Sequence, residues 1–195
     1  MLILWAIPIG IGAGLALGGR RDGLGQLRFR WPWLAIGGLL VQVALFTEAG
    51  FALAGGLTPA TYVVSTAAVL IAVARNLDLA GMWVVALGAL ANLAAILANG
   101  GAMPADRGAL ATAGLSAGGH TNSVVLASPV LQPLTDVYAV PAWVPLANVF
   151  SVGDVLIAIG IAWTIAAAMR RDPGGAPVPG SAAPPGPDAP PASEG

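Results

Sequence analysis

Asn148-Val-Phe-Ser151-Val-Gly-Asp154-Val-Leu-Ile-Ala-Ile-Gly160-Ile-Ala-Trp-Thr-Ile-Ala-Ala-Ala-Met-Arg170-Arg171 decides how this chain is read. An apolar run over 152–169 opens on a serine and an aspartate and stops at two arginines. A ~30 Å hydrocarbon core demands about 17–25 such residues of a helix. Counting back about 20 residues from Arg170 puts the helix start near Phe150. Four further apolar runs cover 2–18, 33–54, 59–74 and 79–98. Arg20, Arg21, Arg28 and Arg30 follow the first, Arg75 the third, and Arg170 and Arg171 the fifth. Only Arg107 lies in the long segment after the fourth. Basic residues are retained on the cytoplasmic side, so this asymmetry orients the chain. The sequence predicts an all-α integral membrane protein with five transmembrane helices. Its N-terminus is outside, its C-terminus inside, and a long external loop joins helices 4 and 5.

The composition agrees. Of 195 residues, 57% are hydrophobic and only 9% charged, with mean hydropathy +0.82. A soluble domain carries about 25% charge. The lipid bilayer is therefore the expected partner. Net charge is −1, which leaves no basic patch for nucleic acid. The absence of cysteine excludes disulfides, zinc–thiolate sites and thiol nucleophiles, and the absence of lysine excludes Schiff-base chemistry. His120 has no second His or Cys nearby and reads as a solvated loop residue, so neither a metal nor a cofactor is expected. Only the terminal amine precedes the first run, and Arg20 and Arg21 follow it. That order favours a retained helix over a cleaved signal.

The chain divides into a five-helix membrane domain, 1–171, and a Pro/Gly/Ala-rich cytoplasmic tail, 172–195. The tail holds eight of the 16 prolines and is expected to be disordered. Gly10-x-x-x-Gly14-x-x-x-Gly18 lines one helix face for close packing. A nucleotide-binding reading of the same glycines fails, because no strand precedes them. Residues 19–30 form a short cytoplasmic loop whose arginines set topology, with anionic headgroup contact as the alternative. Pro32 opens the second helix between Trp31 and Trp33. Gln42 and Glu48 are the polar residues of that run, Glu48 near its outer end. Thr58-Pro59 reads as a hydroxyl cap with proline at the first position, and Asp78 reads as the cap of the fourth helix. Asn92 and Asn99, seven apart, share a face, and Asn92 is expected to bond a neighbouring helix. Within 100–147, a short helix from Met103–Arg107 to Gly114 and an extended piece at 124–127 are expected, and the rest is turn-rich.

Asp136 and Asp154 form the constellation with chemical potential. Asp154 lies about one turn inside the outer boundary, where ionisable groups are functional candidates. Asp136 lies in the loop feeding that helix, and Pro141 and Pro145 prevent a continuous helix between them. A loop returning across the helix start would bring both carboxylates together, with Asn148 and Ser151 as supporting polar residues. Two close carboxylates cannot both ionise cheaply, so the pair shares a proton. One then activates water while the other protonates the leaving amine, as in aspartic peptidases. The competing reading is local: Ser151-Val-Gly-Asp154 fits a capping box, and a first-turn carboxylate suits the helix dipole.

Two resemblances attach to these residues. Gly18-Gly-Arg-Arg21, Asn99-Gly-Gly-Ala-Met103-Pro104 and the stretch from Asn148 through Ser151-Val-Gly-Asp154 to Gly160 together resemble the bacterial family known as domain of unknown function 5317, over roughly 1–171. That resemblance implies a multi-pass protein of the bacterial cytoplasmic membrane and brings no activity with it. The stretch from Asp136 to Gly160 is also similar to the last part of lipoprotein signal peptidase, the type II signal peptidase. There, one catalytic aspartate lies in a loop and its partner begins the final helix. Asp136 and Asp154 match in order. Ser151 stands where that enzyme has asparagine, Gly153 where it has alanine, and its Gly-Asn-x-x-Asp-Arg element is absent. The first expectation is thus a structural or partner-binding membrane protein, with a membrane-protein partner. The alternative is an aspartic endopeptidase with an Asp136/Asp154 dyad and a lipoprotein-like substrate.

Overall fold

Each apolar run forms helix in the computed structural model, which describes residues 2–116 and 123–171. His120 and the tail from 172 onward lie outside the described residues. The long helices are α1 (Leu2–Ala16), α2 (Pro32–Leu45), α4 (Thr58–Ala74), α5 (Met82–Ala98) and α7 (Val152–Met169). Two shorter ones are α3 (Glu48–Ala54) and α6 (Arg107–Thr112).

The run 33–54 is broken, against expectation. Thr47 ends α2 and caps α3. Its hydroxyl accepts the Gly50 N–H at 3.0 Å and donates to the Ala44 carbonyl at 2.7 Å. Any Cβ on Gly50 would strike the Ala44 carbonyl, so this tight turn requires glycine. Glu48 is exposed in the first turn of α3, where a carboxylate suits the dipole. Two other local readings need correction. Thr58 does not cap α4; its hydroxyl donates to the Gly55 carbonyl at 2.8 Å. Asp78 does not cap α5, which starts after Gly81; it pairs with Arg30 at 3.1 Å.

Among the described residues, two helical stretches are long and apolar enough to cross a membrane, Glu48–Ala74 and Val152–Met169. Of their apolar windows, 22% and 33% are buried within the chain. The first joins α3 to α4 through a turn where Gly55 has φ +50°, so it is two helices end to end. The other three apolar helices are shorter. At ~1.5 Å per residue, the 15-residue α1 spans about 22 Å. The rim of the bundle is apolar: Leu40, Val43, Val64 and Leu97 are all more than half exposed. Helices apolar on every side suit lipid rather than water.

The long helices pack in the row α1–α7–α5–α4–α2. Small residues make the contacts. Gly10 and Gly14 are buried, and a Cβ on Gly10 would lie 2.8 Å from the Ala162 carbonyl oxygen of α7. Gly18 lies beyond the end of α1 with φ +77° and does not share that face. Gly81 and Gly88 of the α5 segment meet Gly160 and Gly153 of α7 in the same way. One end of the bundle gathers Arg20, Arg21, Arg28, Arg30, Arg75, Arg170 and Arg171. There the buried Asn76 clamps the chain entering α2: it accepts the Arg30 N–H at 2.6 Å and donates to the Arg30 carbonyl at 2.8 Å.

The described residues between α5 and α7 form a layer over the opposite end. Asp106 caps α6, its carboxylate accepting the Ala109 N–H at 2.9 Å, and Gly114 at φ +70° follows the helix. The layer adds strands to the all-helical expectation. Strand β1 (Met103–Pro104) pairs in parallel with β2 (Ser123–Val124). Strands β3 (Tyr138–Val140) and β4 (Asn148–Phe150) form an antiparallel hairpin. Pro141 and Pro145 sit in its connection, outside the ladder, where a missing N–H costs nothing. Ala105, Ala109, Leu110, Ala113 and Val149 close a small core between α6 and the hairpin.

Candidate functional site

The capping box predicted at Ser151 is present. The Asp154 N–H donates to the Ser151 Oγ at 3.1 Å, and the Ser151 N–H donates to the Asp154 Oδ2 at 3.1 Å. A third residue closes the group. Asn92, on α5, donates from Nδ2 to the Asp154 Oδ1 at 2.8 Å, and its Oδ1 accepts the Ser151 hydroxyl at 2.8 Å. The carboxylate can only accept, which fixes the orientation of the Asn92 amide. Gly153 permits the approach, because a Cβ there would strike Asn92. Thus four hydrogen bonds bind the start of α7 to itself and to α5.

This arrangement restricts the chemistry open to these groups. Ser151 is fully buried and its hydroxyl proton points to an amide oxygen, not to a base. It is not an activated nucleophile. Each oxygen of the partly buried Asp154 carboxylate holds one protein donor.

Asp136 lies in the covering layer and is only 4% exposed. It bridges to Ala105 in parallel. Its N–H donates to the Pro104 carbonyl at 2.9 Å, and its carbonyl accepts the Asp106 N–H at 3.0 Å. Its neighbour Thr135, also buried, donates to the Gln132 carbonyl at 2.7 Å. The β3–β4 ladder ends at the pair Tyr138↔Phe150. The turn Gln132–Leu134 packs against both α5 and α7. The hairpin β3–β4 leads from Asp136 into α7. The hydrogen bonds of Asp154 go to Asn92 and Ser151, and those of the Asp136 backbone go to the β1 segment. Asn148 pairs with Val140 in the ladder. A surface cavity of about 390 Å³ nearby is lined by Asp106, Arg107, Gln132, Thr135 and Val137, among others.

Asn92 is the member that the sequence did not assign to the site. An interhelical bond was expected of it, but not its partner, 62 residues away. Its signal was a lone amide in an apolar helix, which lipid does not tolerate unpaired. Asn99 closes its helix differently, donating to the Ala95 and Val130 carbonyls at 2.8 Å each. Among the described residues, no group of three or more His, Cys, Asp or Glu is placed to hold a metal ion.

The profile described as Family of unknown function (DUF5317) matches residues 26–166. No curated protein matches the chain, and no solved structure does.

Proposed function

The chain belongs to the Family of unknown function (DUF5317), and from that premise we propose a structural, partner-holding role in the bacterial cytoplasmic membrane. The five long helices cross the bilayer, the shorter ones lengthened by their flanking turns. The N-terminus lies outside, and the arginine-rich end and the tail, 172–195, lie inside. The covering layer faces outward and presents the surface for a membrane-protein partner. The observation that carries this reading is the closed group of Asn92, Ser151 and Asp154. It gives Asp154 a complete structural role, fixing α7 against α5 beneath the layer. The seven arginines gathered at the other end support the orientation.

A second reading is motivated by the buried Asp136, which directly precedes the hairpin leading into α7. On that reading Asp136 and Asp154 act as the dyad of an aspartic endopeptidase similar to lipoprotein signal peptidase. Asn148 and Ser151 position the pair.

One experiment separates the two. The purified full chain is incubated in detergent with a diacylated lipopeptide carrying a cleavable reporter. The structural reading predicts no cleavage above background. Cleavage lost in both Asp136→Asn and Asp154→Asn, with each variant still folded, would overturn it and establish the dyad.

A further inference from the structure

The seven clustered arginines are not equivalent. On the side of α2, α4 and α5, Arg30 and Arg75 are occupied, while Arg28 stands exposed, apart from the corner described below. Arg30 donates to Asp78 at 3.1 Å and to the Arg75 carbonyl at 3.2 Å. The Arg75 guanidinium lies 4.4 Å from the centroid of the Trp31 ring. On the side of α1 and α7 they are not. Arg21, Arg170 and Arg171 are exposed, and their side chains have no partner among the described residues. Arg20 has only the solvent-exposed Asp22, at 3.3 Å. Such an exposed pair contributes little.

The backbone holds these groups together. The Arg20 N–H donates to the Met169 carbonyl at 2.7 Å. A Cβ on Gly19 would lie 2.9 Å from that same oxygen, and one on Gly23 would strike the Ala168 carbonyl. The turn Arg21–Gln26 is thus seated directly on the last turn of α7. Two arginine pairs, Arg20–Arg21 and Arg170–Arg171, end up side by side. Four arginines stand at this corner with one described carboxylate, that of Asp22, which only Arg20 contacts, and Asp172 lies outside the described residues. The last α7 carbonyls accept the N–H groups of Arg20, Arg170 and Arg171, and none of these four guanidinium groups bonds a carbonyl among the described residues. Just before the turn, Leu15 and Leu17 of the α1 segment are exposed, 45% and 60%. A cationic corner above an exposed apolar flank matches a phosphate head above acyl chains.

We propose that the corner formed by Arg20, Arg21, Arg170 and Arg171 binds the headgroup of an anionic phospholipid. Guanidinium groups suit phosphodiesters through forked donors, and two adjacent pairs suit a headgroup with two phosphates. Basic pockets between helices at a membrane face take this class of lipid. The inference rests on the membrane reading but not on the role of Asp154.

The test uses the full chain in detergent, with its melting temperature followed against added cardiolipin, phosphatidylglycerol, phosphatidylcholine or inorganic phosphate. Cardiolipin is expected to raise the temperature most, phosphatidylglycerol less, and phosphatidylcholine and phosphate not at all. The triple change Arg21→Gln, Arg170→Gln, Arg171→Gln should weaken cardiolipin binding on the order of a hundredfold. Arg30→Gln should leave it unchanged. Because arginines also direct insertion, the triple Arg→Lys variant is measured too. It keeps the charges and loses the forks, and should insert normally while binding several-fold more weakly. Membrane insertion is scored separately, so failure of the membrane reading is seen apart from failure of lipid binding. An equal shift with phosphatidylcholine or inorganic phosphate, or an unchanged cardiolipin shift in the glutamine variant, would overturn the proposal.

Discussion

Replacing Asn92 with alanine should separate α5 from α7 at one point and leave the capping box in place. The change deletes the donor to the Asp154 Oδ1 and the acceptor of the Ser151 hydroxyl, both at 2.8 Å. Interhelical hydrogen bonds in membranes average about 0.6 kcal/mol and reach about 1.7. Two bonds sharing one amide, one of them to a carboxylate, should therefore contribute about 1–2 kcal/mol. Asp154→Ala removes the Asn92 bond and one half of the capping box, which adds about 1 kcal/mol of its own. Since the Asn92–Asp154 bond is lost in both variants, the double variant should fall short of the sum by about 1 kcal/mol. The assay is equilibrium unfolding in mixed micelles for all four proteins of the cycle. Asp154→Asn is the gentler probe. Its new NH2 group would face the Asn92 NH2 until the Asn92 amide flips; once flipped, the pair bonds again, so the loss should stay below that of Asp154→Ala. Additive single effects, with coupling under about 0.3 kcal/mol, would refute the interhelical lock.

Other perturbations follow from the same contacts. A Cβ on Gly160 would lie 2.5 Å from Val85 Cγ2 and 2.8 Å from the Gly81 carbonyl oxygen. Gly160→Ala should therefore cost about 1–3 kcal/mol in detergent unfolding, as overpacking does. Gly12 has nothing within 4 Å of its would-be Cβ, so Gly12→Ala should be neutral or stabilise by up to about 1 kcal/mol, and a clear loss would contradict the α1 packing face. Thr47→Ala removes the cap of α3 and should cost about 1 kcal/mol, while Thr47→Ser should largely restore it. Deleting 172–195 should leave insertion and the melting temperature unchanged, because that composition offers almost no apolar surface to bury; failure to accumulate in membranes would contradict this.

What could be read from the sequence was local or periodic. The capping box at Ser151 and Asp154 was legible because its members are three residues apart. The packing face at Gly10 and Gly14 was legible because helical period fixes it. The break at Thr47 was hidden, since the residues on both sides continue an apolar run and the turn depends on Gly50 meeting Ala44. Asp78 looked like a helix cap because its partner, Arg30, lies 48 residues away. Distance along the chain likewise concealed the match between Asn92 and Asp154. The β3–β4 hairpin was missed because Pro141 and Pro145 read as breakers, whereas they occupy only its connection. Asp136 was legible as a carboxylate near the final helix. Its place beside β1 depends on a parallel bridge that no local pattern announces.

The orientation of the bundle is tested most directly by labelling single cysteines. The chain has no native cysteine. Gly25 is exposed with open space around it, at the arginine-rich end, and Ser128 is exposed in the covering layer. Gly25→Cys and Ser128→Cys are each treated in intact cells with a membrane-impermeant thiol reagent, then again after permeabilisation. Labelling of the Ser128 position is expected in intact cells, and of the Gly25 position only after permeabilisation. Labelling of the Gly25 position in intact cells, with the Ser128 position protected, would contradict it.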